Sequence, residues 1–190
     1  MQLQSKKGAR ILRIDFVLLL LALTFVMFEA NAQLSSFKQG TAIKDFGKYT
    51  DVKNHGLNET SVFKVAFDVG KEAKAGEINR KFDSLARFIN MHVAHGVPLE
   101  NIQLALVVHG KASFDLLDNL TYQKLYKKDN PNKALLLALM QTNVSVELCG
   151  QTAGAYEIDE SQLVSGVKVS LSAMTAHAKL QQQGYTVNPF

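Results

Sequence analysis

The chain has 190 residues, 47% of them hydrophobic and 20% charged, with 12 glycines and 3 prolines. That apolar fraction supports a packed core and excludes a disordered, collagen-like or low-complexity protein, while a single cysteine excludes an intrachain disulfide and an all-cysteine zinc site. Of the net charge of +4, residues 1–32 supply +2, through Lys6, Lys7, Arg10 and Arg13 against Asp15 and Glu29, so no basic surface for nucleic acid is implied.

Residues 1–32 read as a secretory signal peptide: a basic start, the apolar run Phe16–Phe28, and a small-x-small site, Ala30-Asn31-Ala32. The apolar run partitions into the membrane while the lysines and arginines stay on the cytoplasmic side. Cleavage after Ala32 leaves Gln33 first. The rival reading is an uncleaved anchor, but the run falls short of the roughly 20 residues that span a bilayer. No cysteine follows it, which excludes a lipid anchor. The expectation is a periplasmic or secreted protein that meets the membrane only through this segment.

Residues 33–60 show little periodicity and are broken by Gly40, Gly47 and Gly56, as in an extended arm on the domain surface. Val62–Val69 alternates and is β-rich, the first strand. Ile78, Phe82, Leu85, Ile89 and Val93 then form a helical stripe ended by Gly96 and Pro98. Ile102–Val108 (IQLALVV) is continuously apolar, the mark of a strand buried on both faces of a parallel sheet. A polar helix is expected from Ser113 onward, with Leu116, Leu117 and Leu120 on one side. Asn130-Pro131-Asn132 restarts the chain, and Ala134–Met140, apolar all round, predicts a buried helix.

Val144–Cys149 is the third strand and Gly150–Tyr156 a short helix or turn. Asp159 with Gln162 resembles a capping box. Val167–Leu171 is the fourth strand, Ser172 caps a helix over Ala173–Gln183 with a face of Ala173, Ala176 and Leu180, and Tyr185–Val187 is an edge strand. Strand–helix alternation of this kind predicts an α/β fold: a mostly parallel five-stranded sheet between helices, in one domain over residues 61–190.

In such a sheet ligands bind beyond the carboxyl ends of the strands. Those ends carry Asp68 and Gly70, then His109, Gly110 and Lys111, then Cys149 with Gly150, Gln151 and Thr152, then Ser170 and Ser172. Cys149 closes a strand and precedes a helical turn whose free N–H groups favour thiolate over thiol. Two readings stay open for it, a solvent-reachable nucleophile and a buried, inert side chain. His109 is either a base or hydrogen-bond donor near the sulfur or a structural strand end. Lys111 either holds an anionic ligand or is simply solvated. His92 and His95 lie three apart but lack a third ligand, so no metal site is assigned, and no cofactor is implied. Three Asn-x-Ser/Thr patterns, at Asn58, Asn119 and Asn143, are too common to carry weight. The phosphate-binding, dinucleotide-binding and G-x-S-x-G motifs are absent.

Several segments together resemble the DsrE/DsrF-like sulfur-relay family: Phe63–Val69, Leu85–Met91, Leu104–Gly110, Val146–Thr152, and Gly166–Ala173 continuing through Leu180-Gln181 to Gly184-Tyr185. The lead-in Ile43–Gly47 is similar to that of exported members. The resemblance covers about residues 40–190 and implies a flavodoxin-like three-layer sandwich that assembles into homotrimers or homohexamers. In active members a cysteine after a central strand carries sulfur as a persulfide between partner proteins, and Cys149 falls on that position. His109 matches a strand-end histidine of this branch. The relay members are cytoplasmic with dedicated partner subunits, whereas this chain carries an export signal, so its sulfur donor and acceptor are unassigned.

The leading reading is therefore an exported sulfur carrier. In it Cys149 is the nucleophile, His109 assists, Gly150, Gln151 and Thr152 hold the anionic sulfur, and Gly110 and Lys111 line the site. The alternative is a non-catalytic exported binding or assembly module with a structural Cys149, whose alanine-faced last helix serves subunit contact. A Cys–His hydrolase would need an orienting carboxylate, for which the sequence alone offers no partner.

Overall fold

The computed structural model describes residues 36–188, so the expected signal peptide lies outside the described residues. Five strands, β1 (Phe63–Val69), β2 (Ile102–Val108), β3 (Ser145–Cys149), β4 (Lys168–Ser170) and β5 (Thr186–Asn188), form one sheet in the order β4-β3-β2-β1-β5. Every pairing is parallel. The first four strands march one way across the sheet, and the last returns to the far side of β1. The helices α1 (Arg80–Ala94), α2 (Asn119–Tyr126), α3 (Lys133–Gln141) and α4 (Gly150–Ala155) precede β4, and α5 (Ala173–Gln182) joins β4 to β5.

Right-handed crossovers place α5 on the opposite face from the earlier helices. The composition of the sheet follows. One face presents Val65, Phe67 and Val69 beside Leu104, Leu106, Val108, Val146 and Leu148, all in the main core with Phe82, Leu85 and Ile89 of α1 and Leu135, Leu136 and Leu139 of α3. The other face presents Ala66, Ala105 and Val107, which with Ala176 and Leu180 of α5 make a second, smaller cluster. Small side chains let α5 lie close to the strands. Its alanine-faced side packs on the sheet.

The elements follow local rules. Asn79 caps α1 by accepting a hydrogen bond from Lys81 N, so Ile78 stays outside the helix and is 38% exposed. The expected capping box is present, with Asp159 and Gln162 satisfying each other's backbone at the 3₁₀ turn Glu160–Gln162. Ser172 caps α5 through Thr175 N.

Two expectations need correction. Leu116 ends a 3₁₀ segment (Gly110–Leu116) and Leu117 is extended, bridging to Leu163, so the helical stripe expected through them is broken. Asp118 then caps a new helix, and Leu120 is 70% exposed while Leu116 and Leu117 are buried. α3 is an outer-layer helix: only one side touches the sheet, and Ala134 and Leu137 face outward.

The lead-in reaches further in than a surface strip. Ile43 is buried in the main core, and the buried Asn90 amide of α1 ties its neighbourhood down. Asn90 Oδ1 accepts from Ile43 N at 2.9 Å, and Nδ2 donates to the carbonyls of Ile43, Phe46 and Gly47. A second buried polar knot fixes the loops around the strand ends. Asp115 Oδ2 accepts from Ala73 N and Asn79 Nδ2, Asn132 Oδ1 accepts from Asn79 N, and Asn130 Nδ2 donates to the carbonyls of Asp115 and Leu117. Burial pushes the Asp115 carboxyl above its ordinary range, against the pull of Asn79 and Ala73.

Asn90→Ala strands the Ile43 N–H and three carbonyls; it is expected to destabilise the fold by about 2–4 kcal/mol in urea unfolding and to open residues 43–47 to proteolysis.

Candidate functional site

Cys149 is the last residue of β3 and the N-cap position of α4. Gln151 and Thr152 follow in the first turn of α4, and the pairing of Cys149 with Ser170 of β4 brings the start of α5, at Ala173, alongside. Burial by itself would raise the thiol pKa, but the neighbouring Thr152 hydroxyl and the N–H groups of Ala173, Thr152 and Gln151 outweigh it and hold Cys149 below the usual cysteine value. The Thr152 hydroxyl oxygen accepts from Gly110 N at 3.1 Å, which ties the start of α4 to the end of β2.

Gly150, expected as an N–H donor, serves a different purpose. A Cβ there would stand 2.6 Å from the Ser170 carbonyl oxygen and 3.1 Å from that of Leu171. Only glycine lets the turn after β4 close on α4, and that turn delivers Ala173 to the sulfur. Gln151 also stitches it, with Nε2 donating to the Leu171 carbonyl at 3.2 Å.

The expected opening to solvent is narrower than the strand-end position suggests, because Cys149 is only 6% exposed. Its surroundings are nonetheless polar rather than apolar. Leu171 and Met174, which bracket the turn, are 72% and 79% exposed.

His109 sits one residue past the Val108–Leu148 pair, beside Cys149 on the neighbouring strand. Its ring leans the other way, over Gly70, where a Cβ would meet Cε1 at 2.6 Å. Nε2 donates to Asp68 Oδ2 at 3.1 Å, so the imidazole is committed to a carboxylate and is not one of the sulfur's partners. Asp68 is the orienting carboxylate for which sequence reading offered no partner, and it serves a second imidazole as well: His177 of α5 donates Nε2–H to Oδ1 at 2.8 Å. Burial would raise the Asp68 pKa, but the two imidazoles more than compensate and keep it below its ordinary range. Lys111 is exposed on the 3₁₀ segment that follows. Glu147, two residues before Cys149 on the same face, is held by the hydroxyls of Ser145 and Ser170.

The structure thus gathers Cys149, Gln151 and Thr152 at one strand–helix junction, bonds Thr152 to Gly110, keeps His109 adjacent, and leaves Lys111 outside. Ala173, His177 and the double use of Asp68 were missed; the spacing of Ala173 and His177, one helical turn apart, was the available signal. Among the described residues no group of three or more His, Cys, Asp or Glu side chains could hold a metal. A cavity of about 550 Å³ lies at the other end of the sheet, between Leu99, Gln103, Asn143 and Tyr185, and touches none of these residues.

Strand order, the cysteine at a strand–helix junction and the glycine after it are accompanied by a match of the DsrE/DsrF-like family model over residues 63–189. The chain belongs to the DsrE/DsrF-like family. Among solved structures it is similar to the protein of unknown function MTH1491 from Methanobacterium thermoautotrophicum, at 17% identity and a TM-score of 0.52 over 67% of this chain and 99% of that one. It is also similar to the ychN protein from E. coli, at 22% identity and a TM-score of 0.50 over 68% of this chain and all of that one. Both likenesses speak to the fold, which as a parallel α/β sandwich is the one expected. No curated protein matches the chain.

Thr152→Val removes one donor to the sulfur and is expected to raise the alkylation pKa of Cys149 by about one unit, with Thr152→Ser restoring it. In the unfolded chain the thiol titrates near the roughly 8.5 of a free cysteine, while in the folded chain it gives up its proton at a lower pH. Between those two points the wild type therefore gains stability relative to Cys149→Ser as pH rises, a slope that denaturant melts across that range will register.

Proposed function

We propose that this protein is an exported sulfur handler of DsrE/DsrF type, in which Cys149 carries a sulfane sulfur as a persulfide. The observation that carries the reading is the place of Cys149, at the carboxyl end of β3 and the start of α4 with β4 paired beside it, where polar neighbours hold its thiol pKa below the ordinary value despite burial. An arrangement that stabilises a thiolate also stabilises the perthiolate that forms from it, because negative charge stays within reach of the same donors.

The transfer needs no outside oxidant. The Cys149 thiolate attacks the outer sulfur of a donor persulfide; the donor's S–S bond breaks as the new one forms, and the donor leaves as a thiolate. An acceptor thiolate then attacks the outer sulfur of the Cys149 persulfide, and Cys149 is returned as the leaving thiolate. His109, bonded to Asp68 through Nε2 next to the strand end, assists in this reading by meeting the incoming group rather than the resting sulfur. Residues 1–32 supply the export signal, which puts the chemistry in the periplasm or outside the cell. Self-association into trimers or hexamers, as the family resemblance implies, would cover the exposed Leu171 and Met174 next to the sulfur. Donor and acceptor are thiol or persulfide partners.

The low exposure of Cys149 favours one other reading, a binding or assembly module in which the thiol is only packing. The two separate cleanly. Treated with inorganic polysulfide, the purified protein is expected to gain the mass of one sulfur atom, reversible by a small thiol and absent in Cys149→Ser. No mass gain, together with an alkylation pKa at or above the roughly 8.5 of a free thiol, would assign it to the second reading.

A further inference from the structure

The positive charge of the folded chain is gathered at one place. Residues 71–81 and 124–133 together hold eight lysines and arginines against three acids, a net charge of +5, while the rest of residues 36–188 is net −3. The fold brings the two segments together. Tyr122 Oη accepts from Gly76 N at 3.1 Å, and Asn132 Oδ1 accepts from Asn79 N at 2.7 Å. The Lys128 side chain lies against Gly76, where a Cβ would stand 3.1 Å from Nζ. Two of the three acids are engaged by neutral donors, Glu72 by the Tyr126 hydroxyl and Asp129 by the Gln123 amide. Asp118 feels Lys124 and Lys133 but accepts its hydrogen bond from Thr121 N. Among the described residues none of the eight cations makes an ion pair. Arg80 and Lys81 even occupy the first turn of α1, and Lys133 that of α3, where the helix dipole favours acids. This charge does not serve the stability of the fold.

The ridge of lysines begins at the candidate site. Residues 71–81 leave the carboxyl end of β1 at Gly70, against which the His109 ring packs, and Ala112 N donates to the Gly70 carbonyl at 3.3 Å. Lys111, exposed on the same 3₁₀ segment as Ala112, continues the line of charge. The backbone beneath is fixed by Asp115, whose carboxylate accepts from Ala73 N, so docking here orders little new chain. Exposed Ile78, Leu120 and Leu125 stand beside the cations and give apolar footholds within a charged rim, as protein interfaces have. The one aromatic ring of the two segments, Tyr126, is half-buried and bonded to Glu72, which leaves no stacking plane for a base.

We propose that this ridge is the docking surface for the protein that exchanges sulfur with Cys149, and that this partner presents an acidic patch beside its own cysteine. The proposal rests on the sulfur-carrier reading and adds the partner's charge to it. Exchange between two proteins is bimolecular, and complementary charge beside the reacting groups speeds the encounter.

The probes are two synthetic peptides with one cysteine each, the first flanked by glutamates and the second by lysines, together with fluorescent serine versions of both. Anisotropy at low salt is expected to show the wild type binding the glutamate peptide at least about tenfold more tightly than the lysine one. The ridge variant Lys71→Glu/Lys74→Glu/Lys128→Glu loses that preference. The control Lys53→Glu/Lys168→Glu/Lys179→Glu makes the same change in net charge at exposed positions off the ridge and keeps it. With polysulfide-loaded protein, transfer to the glutamate peptide is expected to slow about tenfold in the ridge variant, while transfer to 2-mercaptoethanol is unchanged. At about 1 M salt, where the Debye length is about 3 Å, the difference disappears. Equal binding of the two peptides, or binding indifferent to the ridge variant, overturns the docking role while leaving sulfur carriage intact. So does binding to phosphatidylglycerol vesicles or to a single-stranded oligonucleotide that the ridge variant alone loses, which assigns the patch to a membrane or a nucleic acid. A protein that docks the glutamate peptide but gains no sulfur from polysulfide overturns the carrier reading, and with it the partner's part in sulfur exchange.

Discussion

The site depends on two backbones touching at Gly150. Because this residue has no Cβ, the carbonyls of Ser170 and Leu171 come within a distance that any other side chain would forbid. That approach closes the turn after β4 onto α4 and sets the start of α5 next to Cys149 at the end of β3. Without it Cys149 would sit at the start of one six-residue helix, with donors on one side only. With it, the sulfur lies between two helix starts. The electrostatic character of the thiol is thus a consequence of steric room.

The sheet's asymmetry serves the same end. A parallel strand buried on both sides is usually apolar throughout, and β2 obeys that rule at nearly every position. Its neighbours do not. On the α5 face β1 shows Ala66 and then Asp68, and β3 shows Glu147 and then Cys149, while the opposite face of both strands is filled by larger apolar side chains. Bulk is concentrated on the side of α1 and α3, where it holds the fold together. The side under the single helix α5 is thin enough to admit carboxylates, imidazoles and a thiol, each satisfied by a named partner except His177 Nδ1.

Much of this was legible because local rules govern it. The run IQLALVV became β2 with the same boundaries, the Asp159–Gln162 box formed as its spacing required, and Cys149 closed a strand ahead of a helical turn. What escaped was everything that depends on residues far apart in the chain. The Asn90 amide grips a segment 47 residues away, and nothing in a helical stripe marks an asparagine as a clamp. Leu120 fits the stripe of Leu116 and Leu117 until Asp118 caps a new helix and rotates it outward. Gly150 reads as an amide donor because sequence order cannot show the strand that will lean on it. Asp68 and His109 were each visible as strand ends, but that one carboxylate would hold both His109 and His177 is a fact of topology.

The crossing made by α5 has a temporal side. Asp68 and His177 are separated by 109 positions, and β5, which follows α5, fills the last open edge of β1. The earlier strands and their helices can assemble while the chain is still being made, but the helix start that completes the surroundings of Cys149 arrives with nearly the final residues. A nascent or truncated chain therefore lacks part of the polar setting that holds this thiol's pKa down. That setting belongs to the finished molecule alone.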